Sequence, residues 1–132
     1  MKQTLNAWAP QVLSILRIVS GLLFLQHGTA KYLSLPAMPN FANLQVTSLP
    51  GIAGLIELVG GVLLVLGLFT RPVAFLCSGT MAAAYFIGHA PRSFFPIING
   101  GELAILFCFV FFYFVFAGPG PWSVDAMRDR RP

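Results

Sequence analysis

Charged residues are scarce in this chain. Only 9% of its 132 residues are Asp, Glu, Lys or Arg, whereas soluble globular domains carry about a quarter. Hydrophobic residues make up 57% of the sequence, and its mean hydropathy is +0.80. This composition excludes a soluble globular domain and predicts an integral membrane protein with a single domain, residues 1–132.

Cysteine is also rare. Cys77 and Cys108 fall inside apolar segments, and the sequence contains no Cys-x-x-Cys pair. A disulfide framework and a dithiol redox motif are therefore not supported, and we interpret both cysteines as small buried residues. The formal net charge of +4 does not indicate nucleic-acid binding, because the basic residues lie mostly at the ends of apolar segments rather than in one patch.

Long apolar runs make up most of the sequence. They predict four transmembrane helices, over about residues 10–31, 51–69, 72–89 and 99–117. Pro10 suits the first turn of the first helix, and Pro72 opens the third. The start of the chain resembles a signal peptide, but Arg17 interrupts its apolar run, so we expect a retained helix. The predicted fold class is an all-α membrane protein, a four-transmembrane-helix bundle.

The basic residues outside the membrane indicate an orientation. Four crossings place both termini on the same side, and five basic residues share that side: Lys2, Arg71, Arg128, Arg130 and Arg131. The opposite side has Lys31 and Arg92. The excess predicts cytoplasmic termini in a multi-pass protein of the plasma (inner) membrane.

One carboxylate, Glu57, lies within the second apolar run. Gly54, Glu57 and Gly61 are spaced by three and four residues, so they share one helix face. Glycines there allow close approach of a neighbouring helix. A charge in hydrocarbon costs about 3 kcal/mol, so Glu57 should turn inward, and we expect His27 or Lys31 of the first helix as its partner.

Other ionisable residues are expected at a similar depth. With a rise of about 1.5 Å per residue, His27 lies about 6 Å below Lys31, and Arg17 is roughly 15 Å deeper. The candidate ligand-binding or proton-handling cluster consists of Arg17, His27, Lys31, Glu57, His89 and Glu102. No catalytic residue is assigned. The alternative is structural, since buried polar residues also fix helix register.

Metal-based chemistry is disfavoured by spacing. His27 and His89 lie at unequal depths, and neither is paired with a second histidine, which argues against axial haem ligation. The set His27, Glu57, His89 and Glu102 does not follow a known zinc motif, so no metal site is predicted. The sequence does not identify a cofactor, and a quinone is compatible with it. We interpret the aromatic run of residues 107–116 as core packing and lipid-facing surface rather than a quinone platform.

Short motifs along nearly the whole chain carry a family resemblance. They are Leu16-Arg17, Gly21-Leu22-Leu23-Phe24, His27-Gly28, Lys31, Gly51, Gly54, Glu57-Leu58, Gly60-Gly61, Leu66-Gly67, Thr70-Arg71, His89, Gly100-Gly101-Glu102, Gly118-Pro119-Gly120 and Ser123-Val124-Asp125. In this order the chain resembles the DoxX family of small bacterial membrane proteins. The resemblance implies a four-helix membrane domain associated with redox processes.

Two functional hypotheses follow from the resemblance. The first is a membrane subunit of a redox system, either quinone-linked or linked to thiol and oxidative-stress defence. The alternative is a non-catalytic accessory subunit that docks to a larger membrane complex and stabilises it. Expected partners are the lipid bilayer and other membrane or soluble redox proteins, but not nucleic acid. The sequence does not decide whether the protein is an enzyme or a homo-oligomer. A transporter is disfavoured because no inverted repeat is found.

Overall fold

The computed structural model describes residues 1–130, which contain helices and loops but no strand. Six α-helices follow one another: α1 (Lys2–Tyr32), α2 (Leu49–Leu66), α3 (Thr70–Ala84), α4 (Pro96–Asn99), α5 (Glu102–Ala117) and α6 (Val124–Asp129). A π-helical turn (Tyr85–His89) and a 3-10 turn (Ala90–Arg92) extend α3. Another 3-10 turn (Pro39–Phe41) lies in the α1–α2 loop. Arg131, counted above for orientation, lies outside the described residues.

Four of these helices are apolar, as a membrane bundle requires. α1, α2 and the segment Thr70–Arg92 are long and apolar enough to cross a bilayer. α5 is also apolar but has 16 residues, or about 24 Å of helix. The chain is therefore an all-α membrane protein built as a helical bundle, which confirms the predicted fold class.

The bundle consists of two closely packed pairs, because α1 packs mainly on α2 and α3 mainly on α5. Glycines permit the first contact. A Cβ atom on Gly28 would lie 2.5 Å from the backbone nitrogen of Leu58, and one on Gly61 would lie 2.7 Å from the Cα of Leu25. Between the pairs lies the hydrophobic core, formed by Phe24, Leu64, Ala74, Cys77, Met81, Phe107, Phe111 and Phe114.

The helix bounds differ from the predicted ones at several points. α1 begins at Lys2, so Pro10 lies inside the helix instead of in its first turn. Because proline has no backbone N–H, the carbonyl of Asn6 lacks its intrahelical hydrogen bond. Asn6 is exposed, so this carbonyl can be solvated. α5 begins at Glu102 rather than near residue 99, because Gly100 adopts a positive φ of 75° and ends α4.

At one end of the bundle, here called the Arg17 end, hydrogen bonds of Arg17 connect the helices to the segment after α5. The fully buried guanidinium of Arg17 donates to Leu64 O at 2.8 Å, to Trp122 O at 2.6 Å and to Pro119 O. These bonds connect α1 to the end of α2 and to the C-terminal segment. The opposite end, where α1 finishes and α2 begins, is called the Lys31 end.

The C-terminal segment also caps α3 at the Arg17 end. Asp125 in α6 accepts hydrogen bonds from the backbone nitrogens of Phe69 and Thr70, both at 2.9 Å. Partial burial alone would raise the pKa of Asp125, but these bonds and the nearby Arg128 outweigh it, so the pKa lies below its ordinary value. The carboxylate therefore stabilises the start of α3 in its charged form.

Candidate ligand-binding cavity

A cavity of ≈ 720 Å³ lies between α1, α2, α3 and α5 towards the Lys31 end. This volume is within the range of small-molecule sites. Its wall is mostly apolar, with contributions from Phe24, Ile56, Met81, Ala84, Leu103 and Phe107. Its polar lining consists of His27, Lys31, Glu57, Thr80, His89 and Arg92. A largely apolar wall with a few convergent polar groups is typical of a binding site for a small amphiphilic molecule.

Lys31 and Glu57 form an ion pair at this cavity. The Nζ atom of Lys31 lies 3.0 Å from Oε2 and 3.1 Å from Oε1 of Glu57, and the two side chains are only 9% and 6% exposed. Gly54 makes room for the lysine, since a Cβ there would lie 2.8 Å from the Lys31 Cδ. The expectation that Glu57 turns inward to a basic partner on α1 is confirmed. Beyond this pair, Glu57 Oε2 has no hydrogen-bonding partner among residues 1–130.

The two cavity histidines are held in the same way. His27 Nδ1 lies 2.8 Å from the carbonyl of Leu23, and His89 Nδ1 lies 3.0 Å from the carbonyl of Asn99. A carbonyl only accepts hydrogen bonds, so we assign the proton to Nδ1 in both rings. In the neutral imidazole, Nε2 is then an unprotonated acceptor. Within residues 1–130, neither Nε2 atom makes a hydrogen bond.

Asn99 fixes the position of His89. Its side-chain amide donates to the Tyr85 hydroxyl at 3.2 Å and to Ser93 O at 3.0 Å, and its Oδ1 accepts from the Gly101 nitrogen at 2.8 Å. The buried Asn99 thereby ties the π-helical turn that carries His89 to the start of α5. This arrangement is not predictable from the sequence, because a π-helical turn has no clear residue pattern.

Aromatic rings form one side of the cavity. Phe24 contacts Phe107 and Phe111 edge-on, with centroids 5.6 and 4.9 Å apart, and the His27 ring stands at 87° to Phe107 with centroids 6.0 Å apart. The aromatic run of α5 was interpreted as packing and lipid-facing surface. Phe111 fits that view because it is fully buried in the core, but Phe107 also lines the cavity.

Two residues of the predicted cluster, Arg17 and Glu102, do not line the cavity. Arg17 lies at the other end of the bundle, where its donors are satisfied by carbonyl groups. Glu102 is exposed at the start of α5. Thr80 was missed, because an isolated threonine within an apolar helix carries no distinctive signal. The residues brought together are His27, Lys31, Glu57 and His89, with the exposed Arg92 at the edge.

The fold and the cavity define a class: an all-helical membrane protein with a ligand-sized cavity between its helices. The family model described as DoxX matches residues 12–90, which include the four residues brought together above. A Haemophilus influenzae protein described as uncharacterized is 47% identical over 125 residues, covering 92% of this chain and 93% of that protein. No solved structure matches this chain. The chain belongs to the DoxX family.

Proposed function

We propose that this protein is a quinone-linked membrane subunit of a redox system and that the cavity holds the quinone headgroup. The observation that carries the proposal is the combination of an aromatic wall with two imidazoles and a buried ion pair in one apolar cavity. A quinone has a flat ring, two oxygens that take up protons on reduction and an apolar tail. Each of these parts has a counterpart in the cavity wall.

The polar residues have separate roles in this proposal. His27 and His89 exchange protons with the headgroup oxygens, since each has a free Nε2 atom and a fixed ring. Lys31 and Glu57 compensate charge that appears on the headgroup. The electrons pass to or from a separate redox protein. A thiol-linked role is less well supported, because Cys77 is completely buried in the core and the sequence has no Cys-x-x-Cys pair.

We also propose that the cavity faces the outer leaflet of the plasma (inner) membrane, with both termini in the cytoplasm. Four described basic residues, Lys2, Arg71, Arg128 and Arg130, lie on the side of the Arg17 end, whereas Lys31 and Arg92 lie at the Lys31 end. This asymmetry supports the orientation, because basic residues are retained on the cytoplasmic side.

The rival proposal, an accessory subunit that docks to a larger complex, has lost one supporting argument. Glycine-rich helix faces would favour that role if another protein could pack on them. Gly28 and Gly61 instead pack α2 against α1, and a Cβ atom on Gly60 would lie 2.7 Å from the Cys77 sulfur of α3. These faces are used within the bundle, so they do not favour docking.

Quinone analysis of the purified protein tests the proposal. We expect protein extracted from native membranes in mild detergent to retain quinone in a fixed ratio, and Ala84→Phe to lose it, because Ala84 lines the cavity and a phenyl ring would fill part of it. Glu102→Gln is the matched control, since Glu102 lies outside the cavity. Equal quinone content in Ala84→Phe and the wild type would refute the site. A quinone-free protein that co-purifies with a larger complex would support the accessory role instead.

A further inference from the structure

Resting on the quinone-type ligand proposed above, we propose that the cavity selects the reduced, hydroxyl-bearing form of that ligand, a quinol, over the oxidised form. The two forms have nearly the same shape and the same apolar tail. They differ in that quinol oxygens donate hydrogen bonds, whereas quinone carbonyls only accept them. The preference therefore depends on which free polar atoms the cavity presents.

The free polar atoms of the cavity are mainly acceptors. Each histidine donates through Nδ1 to a backbone carbonyl, which leaves Nε2 of His27 and of His89 as acceptors in the neutral rings. The hydroxyl of Thr80 donates to Leu76 O at 2.8 Å, so its lone pairs are free. Oε2 of Glu57 is buried and has no hydrogen-bonding partner beyond the Lys31 ammonium within the described chain.

The free donors of the cavity belong to the two cations Lys31 and Arg92. Two of the three N–H groups of the Lys31 ammonium suffice for its contacts with the Glu57 oxygens, and the ammonium lies 5.6 Å from the centre of the Phe41 ring. Arg92 lines the cavity but is exposed to solvent. A quinone carbonyl placed at either histidine would face a lone pair, whereas a quinol hydroxyl would donate to it. Sites built to bind a hydroxyl reject analogues that lack it, because their buried polar atoms are left unpaired.

The helix arrangement also fits a ligand with an apolar tail. α2 and α3 are joined by a tight turn at the Arg17 end and stay close at Gly60 and Cys77. Farther from that turn both helices line the cavity, and the apolar side chains of Ile52 and Ile87 there are 47% and 58% exposed. On membrane-spanning helices such exposed apolar residues face lipid. A tail that leaves the cavity between Ile52 and Ile87 therefore reaches the bilayer.

Binding of three short-tailed probes to the protein in lipid nanodiscs tests the selectivity: decylubiquinol, decylubiquinone and the dimethyl ether of decylubiquinol. Measurements are made under argon to keep the quinol reduced. We expect the quinol to bind at least roughly tenfold more tightly than the quinone, the factor that one hydrogen bond contributes. The dimethyl ether keeps the ring and tail but cannot donate, so its affinity should fall to that of the quinone or lower.

Variants identify the acceptors. His27→Asn and His89→Asn keep a donor near the Nδ1 position and remove the Nε2 atom, so each should weaken quinol binding about tenfold and leave quinone binding nearly unchanged. Glu102→Gln is the control, and thermal melts check that the variants are folded. If a histidine variant does not fold, the three probes on the wild type still decide the question.

The possible outcomes separate this inference from the proposed function. Equal affinity for the two forms, or tighter binding of the quinone, overturns the selectivity but leaves a quinone-linked site in place. Unchanged affinity for the dimethyl ether overturns the assignment of acceptors. If neither the quinol nor the quinone binds, both this inference and the proposed function are wrong.

Discussion

Replacing Lys31 by Met should destabilise the bundle because it leaves the buried Glu57 carboxylate without its cation. At 3.0 Å the two charges attract by about 5.5 kcal/mol if the effective dielectric constant is 20. Solvent screening is small, since the side chains are 9% and 6% exposed. Breaking a buried pair in this way costs about 3–5 kcal/mol. We therefore expect Lys31→Met to lower the free energy of unfolding by about 3 kcal/mol.

The double variant Lys31→Met/Glu57→Leu should behave differently. With both charges gone, neither has to be desolvated, and replacing a buried pair by apolar residues of similar size is often neutral or stabilising. We expect its stability to lie within about 1 kcal/mol of the wild type. The double variant should nevertheless bind quinol about tenfold more weakly, because the cavity has lost the Glu57 acceptor. Stability and binding then separate a purely structural ion pair from a functional one.

The assay is denaturant unfolding in mixed micelles, followed by circular dichroism, for the wild type, both single variants and the double variant. Arg92→Met is the control, because Arg92 is an exposed cation at the same end of the bundle. The reasoning is refuted if Lys31→Met costs less than about 1 kcal/mol, which is the range of exposed pairs. It is also refuted if the double variant is as unstable as the two single changes added together.

The remaining predictions concern packing, capping and topology. Gly28→Ala should cost about 1–3 kcal/mol through overpacking against α2, whereas Gly79→Ala, with nothing within 4 Å of the new Cβ, should be neutral or stabilise α3 by up to about 1 kcal/mol in thermal melts. Asp125→Asn should cost about 1 kcal/mol near neutral pH. Because the folded pKa of Asp125 is lowered, its contribution is complete above about pH 4 and lost as the pH falls below that value. A cysteine at position 43, in the α1–α2 loop, should react with an impermeant maleimide from outside the cell.

Each of these predictions has a result that contradicts it. Equal melting temperatures for the two alanine variants would mean that α1 and α2 do not pack as closely as described. A wild-type minus Asp125→Asn difference in stability that does not shrink as the pH falls below about 4 would exclude the carboxylate cap. Labelling at position 43 only after the cells are opened would reverse the orientation.

The four apolar helices and the partner of Glu57 could be predicted from the sequence because both follow from simple energetics. A run of apolar residues long enough to cross hydrocarbon forms a helix, and a carboxylate in that run needs a partner at the same depth. Lys31 is that partner, since it forms an ion pair with Glu57. The start of α1 could not be predicted, since proline is tolerated inside a helix where the freed carbonyl is exposed.

The partners of Arg17 and the details of the cavity could not be predicted either. Arg17 is bonded to backbone carbonyls, and every residue has a carbonyl, so no side-chain pattern identifies the acceptor. The ring orientation of His89 depends on a π-helical turn and on Asn99, which are tertiary features. The sequence indicated which ionisable groups lie at one depth and set Arg17 apart from them, but it did not indicate that Glu102 would be exposed outside the cavity.

The bonds of Arg17 have a consequence for how the protein is made. Pro119 and Trp122 follow Arg17 by 102 and 105 residues, so these two acceptors are synthesised long after α1. Until then, an inserted α1–α2 pair offers the guanidinium only the carbonyls of Leu64 and Val65. Completion of the bundle therefore depends on residues that follow α5 in the sequence. Molecules that end before Pro119 would carry a partly unsatisfied buried cation, which gives the cell a physical basis for distinguishing finished from unfinished copies.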